Sequence, residues 1–521
     1  MTKPLLRLPR HTAYSTPLLE AYFKARLSLH IFTPDEAGAR LGLTDAKKVQ
    51  WNREVLVEVL KEQAKQCQAG SKSSHAIDDL LHDNAFTVCT AHQSCLFFGP
   101  RYLYYKALSA IKAARMLTSK ENPVYPVFWM GSEDHDFEEI NHIYWEGEKI
   151  QWKHEQGNAV GRMSTQGLNQ AIDEVMSVAK ASLTSEKLSK LQSQLDAWKT
   201  KKDATYSTLW QMALYQIFQD DELIILNADD HRLKKIFTPI MLKELRTNKL
   251  QTCIKESDEG MFAAYSMPLH VRETNLFYIE NEIRQRVEFD KNNSDAVELW
   301  CNKCARSPEA FSPNVALRPI YQQSILPNIS YIGGPSEVAY WLQLAPAFTM
   351  HNVHYPQVLL RDQCITVNQS TIDLQHDYEA SWESLVIGDL AWQDVYLEKA
   401  FADDLRPIIE AKESWNVKGE ELASYAHAKD EGLGKAYEGA WSKMNKLNVT
   451  LLQKTKRHLK QKHPKMISDW TRLTNTLRPE GVLQERYAST LSLLINQSHS
   501  KEALINAFNP FDQGMHIIVE D

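Results

Sequence analysis

The reading that decides the fold is that of residues 86–130, FTVCTAHQSCLFFGPRYLYYKALSAIKAARMLTSKENPVYPVFWM. Phe86 to Thr90 is a short apolar run of strand length. After it, Leu103, Ala107, Ile111 and Ala114 recur at helical spacing and share one face. Val124 to Met130 is a second strand-length apolar run, and Pro126, which brings no N–H, marks it as imperfect or near a sheet edge. Strand, helix and strand within about 45 residues predict a right-handed βαβ unit and therefore a parallel sheet.

The same rhythm continues outward. A helix is expected at 205–218, a strand at Glu222 to Asn227, and a helix from Asp230 to Leu245 with Asp229 and Asp230 available for its N-cap. Ser330 to Ile332 reads as a strand end running into Gly333-Gly334-Pro335, followed by a helix from Ser336 to Phe348 and a strand at Gln357 to Leu360. The fold class is α/β. Upstream, residues 1–85 read mostly as helix, with Val55, Leu56, Val59 and Leu60 on one period. Two stretches break the alternation: a hairpin about Glu146-Gly147 with polar helix at 167–199, and a hairpin in NLFYIENEIRQRVEF at 275–289. The expected layout is a core over 1–387 with insertions at about 137–204 and 250–310.

Residues 388–477 change texture to long helices with few breakers. Leu433, Tyr437, Ala440, Met444, Leu447 and Leu451 form a heptad seam, so a coiled-coil domain is expected here. Trp392 to Ile409, with Pro407 near its end, is a candidate antiparallel partner, within the chain or across a dimer; a dimerising arm is preferred. The segment 478–521 is expected to return to the core, with HIIV at 516–519 as a last strand.

Composition narrows the function. With 59 Lys+Arg against 66 Asp+Glu the formal charge is -7, which gives no general attraction to nucleic acid. No apolar run reaches membrane-spanning length, and no secretory leader is visible, so neither a nucleic-acid nor a membrane partner is expected and the location is read as cytoplasmic. Seven cysteines in 521 residues suit a reducing compartment. Cys301 and Cys304 form a lone CxxC, read as two unbonded thiols rather than zinc ligands, and no metal is assigned. The basic run from Lys454 to Lys465 reads as the solvated face of a long helix.

Three polar segments fall at expected strand ends, where open α/β sheets place their ligands. His92-Gln93 follows the first strand and offers an imidazole and a carboxamide to phosphate or developing charge, or simply caps a loop. Glu133-Asp134-His135-Asp136 follows the second; so many ionisable groups cannot all be buried unpartnered, and they suit an amine ligand, a general base or a cation, or a solvated loop. In the third, Gly333-Gly334 allows close backbone approach, the helix at Ser336 presents N–H groups with Ser336 as its N-cap, and Arg318 offers a fork for a carboxylate or phosphate. A fourth patch, Gln484-Glu485-Arg486, reads as an exposed helix start. GxGxxG, GxxxxGK[ST] and GxSxG are all missing.

TAHQSCLFFGPRYLYYKALSAI, PVFWMGSEDHDFEEINH, FSPNVALRPIYQQSILPNISYIGGPSEVAYWLQL and RPEGVLQER together resemble the bacillithiol-biosynthesis cysteine-adding family, BshC, over nearly the whole chain. The resemblance implies a Rossmann-like parallel-sheet core with connecting-peptide insertions, an α-helical coiled-coil domain and a homodimer through it. It also implies a ligase that joins cysteine to the amine of glucosaminyl malate, with ATP (released as ADP or AMP) for activation. On the further similarity to class I aminoacyl-tRNA synthetase-like ligases, His92, Gln93, Glu133, Asp134, His135 and Asp136 are the expected catalytic residues. Arg318, Gln322, Gly333, Gly334, Ser336, Glu337 and Tyr340 are expected to bind substrate or nucleotide. Two alternatives stay open: a metal-dependent nucleotidyltransferase or hydrolase using Glu133 to Asp136, and a non-catalytic nucleotide-binding coiled-coil scaffold.

Overall fold

The computed structural model describes residues 4–9, 16–27, 32–154, 159–199, 201, 204–280, 283–496, 501–512 and 514–520. Parts of the expected N-terminal helical segment (10–15 and 28–31) and the turn of the second hairpin (281–282) lie outside them. The chain divides into two units: residues up to Ile365 together with Glu485–Glu520, and Thr366–Gln484.

The first unit is built on a five-stranded sheet: β1 (Phe86–Gln93), β2 (Val124–Gly131), β3 (Ile224–Asn227), β4 (Asn328–Gly333) and β5 (Gln357–Leu360). Their spatial order is β5-β4-β1-β2-β3, and every neighbouring pair is parallel. Chain order therefore reverses between β1 and β4, which makes the crevice at their carboxyl ends the natural ligand position. The strands alternate as burial on both faces requires. Val127 and Trp129 pack with Cys89, Ala91 and Leu226 on one side, while Phe128 and Met130 pack with Ile225 and Leu103 on the other. Helices α1 (Arg101–Leu117), α2 (His231–Arg246), α3 (Arg318–Ile325) and α4 (Pro335–His351) belong to this unit. Asp230 caps α2 by accepting from the Arg232 N–H.

The edge reading of Pro126 is corrected, since β2 lies between β1 and β3. Pro126 faces Val88 and comes one residue before pairing with β3 begins at Val127 and Ile224, so the missing N–H costs nothing on that side. Both hairpins are present. His142–Trp145 pairs with Glu148–Gln151 across Glu146 and Gly147, whose φ values of 49° and 84° suit a tight hairpin turn. Leu276–Glu280 pairs with Ile283–Arg286 and, on its other edge, with Phe311–Pro313. The tail forms Met515–Glu520, antiparallel to Pro4–Leu8.

In the second unit α5 (Ala402–His427) and α6 (Glu431–Lys462) are joined by a short turn, and Asp430 caps α6. A Cβ on Gly419 would lie 1.8 Å from the Trp441 ring, so the helices meet closely there. Leu433, Tyr437, Met444, Leu447 and Leu451 are exposed, whereas Gly434, Asn448, Leu452, Lys456 and Leu459 are buried. The heptad seam thus lies outside the packed stripe of α6. Within the basic run Lys456 is buried and paired with Glu398 at 2.8 Å and Asp394 at 3.1 Å. No helix among the described residues is long and apolar enough to cross a membrane.

Candidate active site

A cleft of about 590 Å³ opens at the carboxyl edge of the parallel sheet. All three polar segments line it: His92 and Gln93 from the end of β1, Glu133 to Asp136 after β2, and Arg318, Gly334, Ser336, Glu337 and Tyr340 around β4. Gln322 and Gly333 stand behind the wall. Gln322 is buried and accepts from Arg318 at 3.0 Å, and the Gly333 carbonyl accepts from the Arg361 N–H at 2.9 Å.

His92 is held on both ring nitrogens. Its Nε2 lies 3.0 Å from the Tyr102 hydroxyl, and its Nδ1 lies 3.2 Å from the Gln93 carbonyl. Burial, and then the nearby Lys106 ammonium, push its pKa down to about 3, so the imidazole is neutral at physiological pH. The Gln93 amide donates to Asp134 at 2.7 Å and to Glu139 at 3.3 Å.

The four acidic-segment residues have different surroundings. Glu133 is anchored by Lys234, which also donates to the Phe311 carbonyl at 2.5 Å and lies 3.6 Å from Asp229; Asp229 is itself gripped by Arg162 at 2.7 and 2.8 Å. Burial pushes the Glu133 carboxyl up while Lys234 opposes it. Asp134 accepts from Gln93 and from the His135 N–H at 2.8 Å, with Arg284 at 3.8 Å. Arg284 also lies 2.8 Å from His135 Nδ1 and must donate there, which leaves the proton of neutral His135 on Nε2. Asp136 is about half exposed, and His135 Nε2 lies 3.8 Å from it, beyond hydrogen-bond distance. It is the least committed of the three carboxylates.

At β4 the expected Ser336 cap is replaced. Gly334 is the N-cap, Pro335 opens α4, and Glu337 reaches back to accept the Gly334 N–H at 2.7 Å. Pro335 fits the first helical position, where a missing N–H is harmless, and this moves the helix start ahead of Ser336. Glu337 also accepts from the Tyr331 hydroxyl at 2.7 Å and from buried Lys106 at 2.5 Å. Burial acts to raise its carboxyl, but Lys106, His92 and these donors outweigh it and hold the pKa at about 2. Glu337 therefore fixes the turn rather than waiting for a ligand. Arg318 rests over the Tyr331 and Trp341 rings at 5.7 and 5.9 Å, bonds to Gln322 at 3.0 Å and Tyr331 at 3.5 Å, and is further supported by Tyr340 and by the charge of Glu337. No carboxylate among the described residues forms a direct ion pair with this guanidinium, so its outer face can still take an anion.

Sequence reasoning missed several members of this site. Arg272, Arg284, Arg286, Tyr102 and Arg361 line the cleft, and Lys106 and Lys234 support it from beneath. Arg284 and Arg286 alternate along a hairpin strand, a period-two signal that both point to one face. Arg486, read as part of an exposed helix start, lines the cleft too, while Glu485 beside it is fully buried and binds Arg361 through two bonds of 2.5 and 2.9 Å. Cys301 and Cys304 are unbonded, buried in the apolar core, and their thiols are pushed up by burial, that of Cys304 to about 12. Asp134, His135 and Asp136 offer ligand atoms within 4.8 Å of one another, but Arg284 already supplies a cation there and occupies His135 Nδ1.

A parallel sheet whose strand order reverses at an arginine-lined cleft, with a separate helical hairpin, defines an α/β protein of the Rossmann-like class. Comparison with known proteins is specific. Residues 11–362 match the Bacillithiol biosynthesis BshC N-terminal Rossmann-like domain, and residues 365–520 match the BshC C-terminal coiled-coil domain. The chain belongs to the BshC family. Similar proteins include one from Cytophaga hutchinsonii, 30% identical over 92% of both chains, and one from Christiangramia forsetii, 32% identical over 95% of this chain and 94% of the other. One from Flavobacterium johnsoniae is 32% identical over 90% and 89%. All three carry the name "Putative cysteine ligase BshC".

Proposed function

We propose that this chain is a cysteine ligase of bacillithiol biosynthesis that joins the carboxyl of cysteine to the amine of glucosaminyl malate. The observation that carries the reading is the meeting of His92-Gln93, Glu133 to Asp136 and Gly334 to Glu337 in one cleft at the point where strand order reverses. Amide formation from a free carboxylate is uphill, so a nucleoside triphosphate has to supply activation. The donor set suits its phosphates: Arg318 forms no direct ion pair among the described residues, and at the start of α4 the Ser336 and Glu337 N–H groups have no intrahelical acceptors.

In this mechanism Arg318 and the first turn of α4 orient the anionic leaving group. Neutral His92, steadied by Tyr102, hydrogen-bonds to oxygen as charge develops on it. The amine nitrogen attacks the activated cysteine carbonyl, the carbon–nitrogen bond forms, the leaving group departs with its electron pair, and the amine proton passes to Asp136. Asp136 fits that role because the other carboxylates are already committed: Glu133 to Lys234, Asp134 to Gln93, and Glu337 to Lys106.

The test incubates purified protein with ATP, labelled cysteine and glucosaminyl malate and follows the thiol product with the nucleotide released. Product is expected, with AMP indicating an adenylate and ADP an acyl phosphate. Absence of product from folded protein contradicts the reading. We also propose a homodimer through the helical hairpin, supported by the exposed apolar seam on α6.

A further inference from the structure

The cations of the cleft belong to two sets of elements. Arg318 and Arg361 extend from the parallel-sheet side, whereas Arg272, Arg284 and Arg286 come from the insertion between α2 and α3. In the second set the Arg284 fork is already used by His135, Ser312 and the Pro313 carbonyl, and its side chain is 7% exposed. Arg286 is not so committed. It stands two residues further along the same strand face, opposite Phe277, whose ring lies 5.6 Å from its guanidinium, and its nearest carboxylate is that of highly exposed Glu288 at 3.8 Å. Arg272 forms no ion pair among the described residues, yet its backbone is fixed. Its N–H donates to Asn275 at 3.2 Å, and buried Asn275 is tied to Glu244 by bonds of 2.9 and 2.8 Å.

Arg272 and Arg286 both line the main cleft and also an adjoining cavity of about 400 Å³, so they stand together where the two spaces meet. Glu273 and Glu288 line the adjoining cavity as well, but the one ion pair they form with these arginines among the described residues is the 3.8 Å contact from exposed Glu288 to Arg286, so both forks can still turn to an incoming ligand, each matching one carboxylate. We propose that Arg272 and Arg286 form a subsite for a dicarboxylate, two carboxylates a few bonds apart. This rests on the ligase reading, and it places the malate end of the amine substrate on the insertion, away from Arg318 and the leaving group.

The test measures binding of glucosaminyl malate, free L-malate and methyl glucosaminide to the full chain by calorimetry, alongside the ligase assay. Arg286→Ala and Arg272→Ala are each expected to weaken both malate ligands roughly 10- to 100-fold, the range for one lost charge-assisted pair. Arg286→Lys should fall between, and KM for ATP and for cysteine should stay unchanged. Turnover in which malate affinity is unaltered by both alanine variants, or in which KM for ATP rises instead, overturns the subsite. Wild-type protein that binds malate through these arginines but forms no amide defeats the ligase reading and leaves the subsite standing. Thermal melting of each variant identifies a folding defect, and Arg286→Lys, which keeps the charge and the packing, then carries the test.

Discussion

Glu337 takes donors from Lys106, Tyr331 and the Gly334 backbone and so ties α1, β4 and the start of α4 together. Removing one member of a buried pair strands the other charge, so Glu337→Gln is expected to cost about 3–5 kcal/mol, measured by denaturant unfolding. Adding Lys106→Met should recover part of that loss, and an unchanged midpoint in Glu337→Gln contradicts the pairing. His92 makes a different prediction. With its pKa at about 3 it does not titrate near neutrality, so the rate profile between about pH 5 and 8 should carry no limb that disappears in His92→Asn. Its effect on stability follows from the sign of the shift. The folded value lies below the ordinary 6.5, so the contribution is full above 6.5 and is lost as pH falls toward 3. His92→Asn should therefore lose less stability between pH 7 and pH 5 than the unaltered chain.

At the scale of elements, the strands were legible because β1 and β2 are buried on both faces and read as apolar runs. The cations in and beneath the cleft were not, because period alone cannot separate a buried lysine from a solvated one. Lys106 and Lys234 lie on helices where sequence offers no sign that a carbonyl and a carboxylate wait beneath. Arg284 and Arg286 likewise read as the polar edge of a hairpin. The α6 seam was legible as a heptad, but the helix uses a different stripe to pack, with Gly434, Asn448 and Leu452 buried instead. Apolar residues as exposed as Leu447 and Leu451 are suited to a second copy of the chain. Sedimentation should give a dimer for the unaltered chain and a monomer of unchanged helical content for the pair Leu447→Glu and Leu451→Glu. A monomeric unaltered chain removes the homodimer from the proposal.

At the scale of the whole molecule, segments near residues 92, 134 and 335 reach one edge because parallel strands deliver every carboxyl end to the same side. That convergence was readable from the order of strands and helices. The insertion that supplies Arg272, Arg284 and Arg286, and the tail that supplies Arg486, were readable only as separate pieces, since their place on the cleft depends on tertiary packing. A crystal structure with glucosaminyl malate and a non-hydrolysable ATP analogue tests the assembly most directly. The amine is expected beside Asp136, the phosphates at Arg318 and the start of α4, and the malate at Arg272 and Arg286. Ligands bound away from this cleft, with its side chains left uncontacted, contradict it.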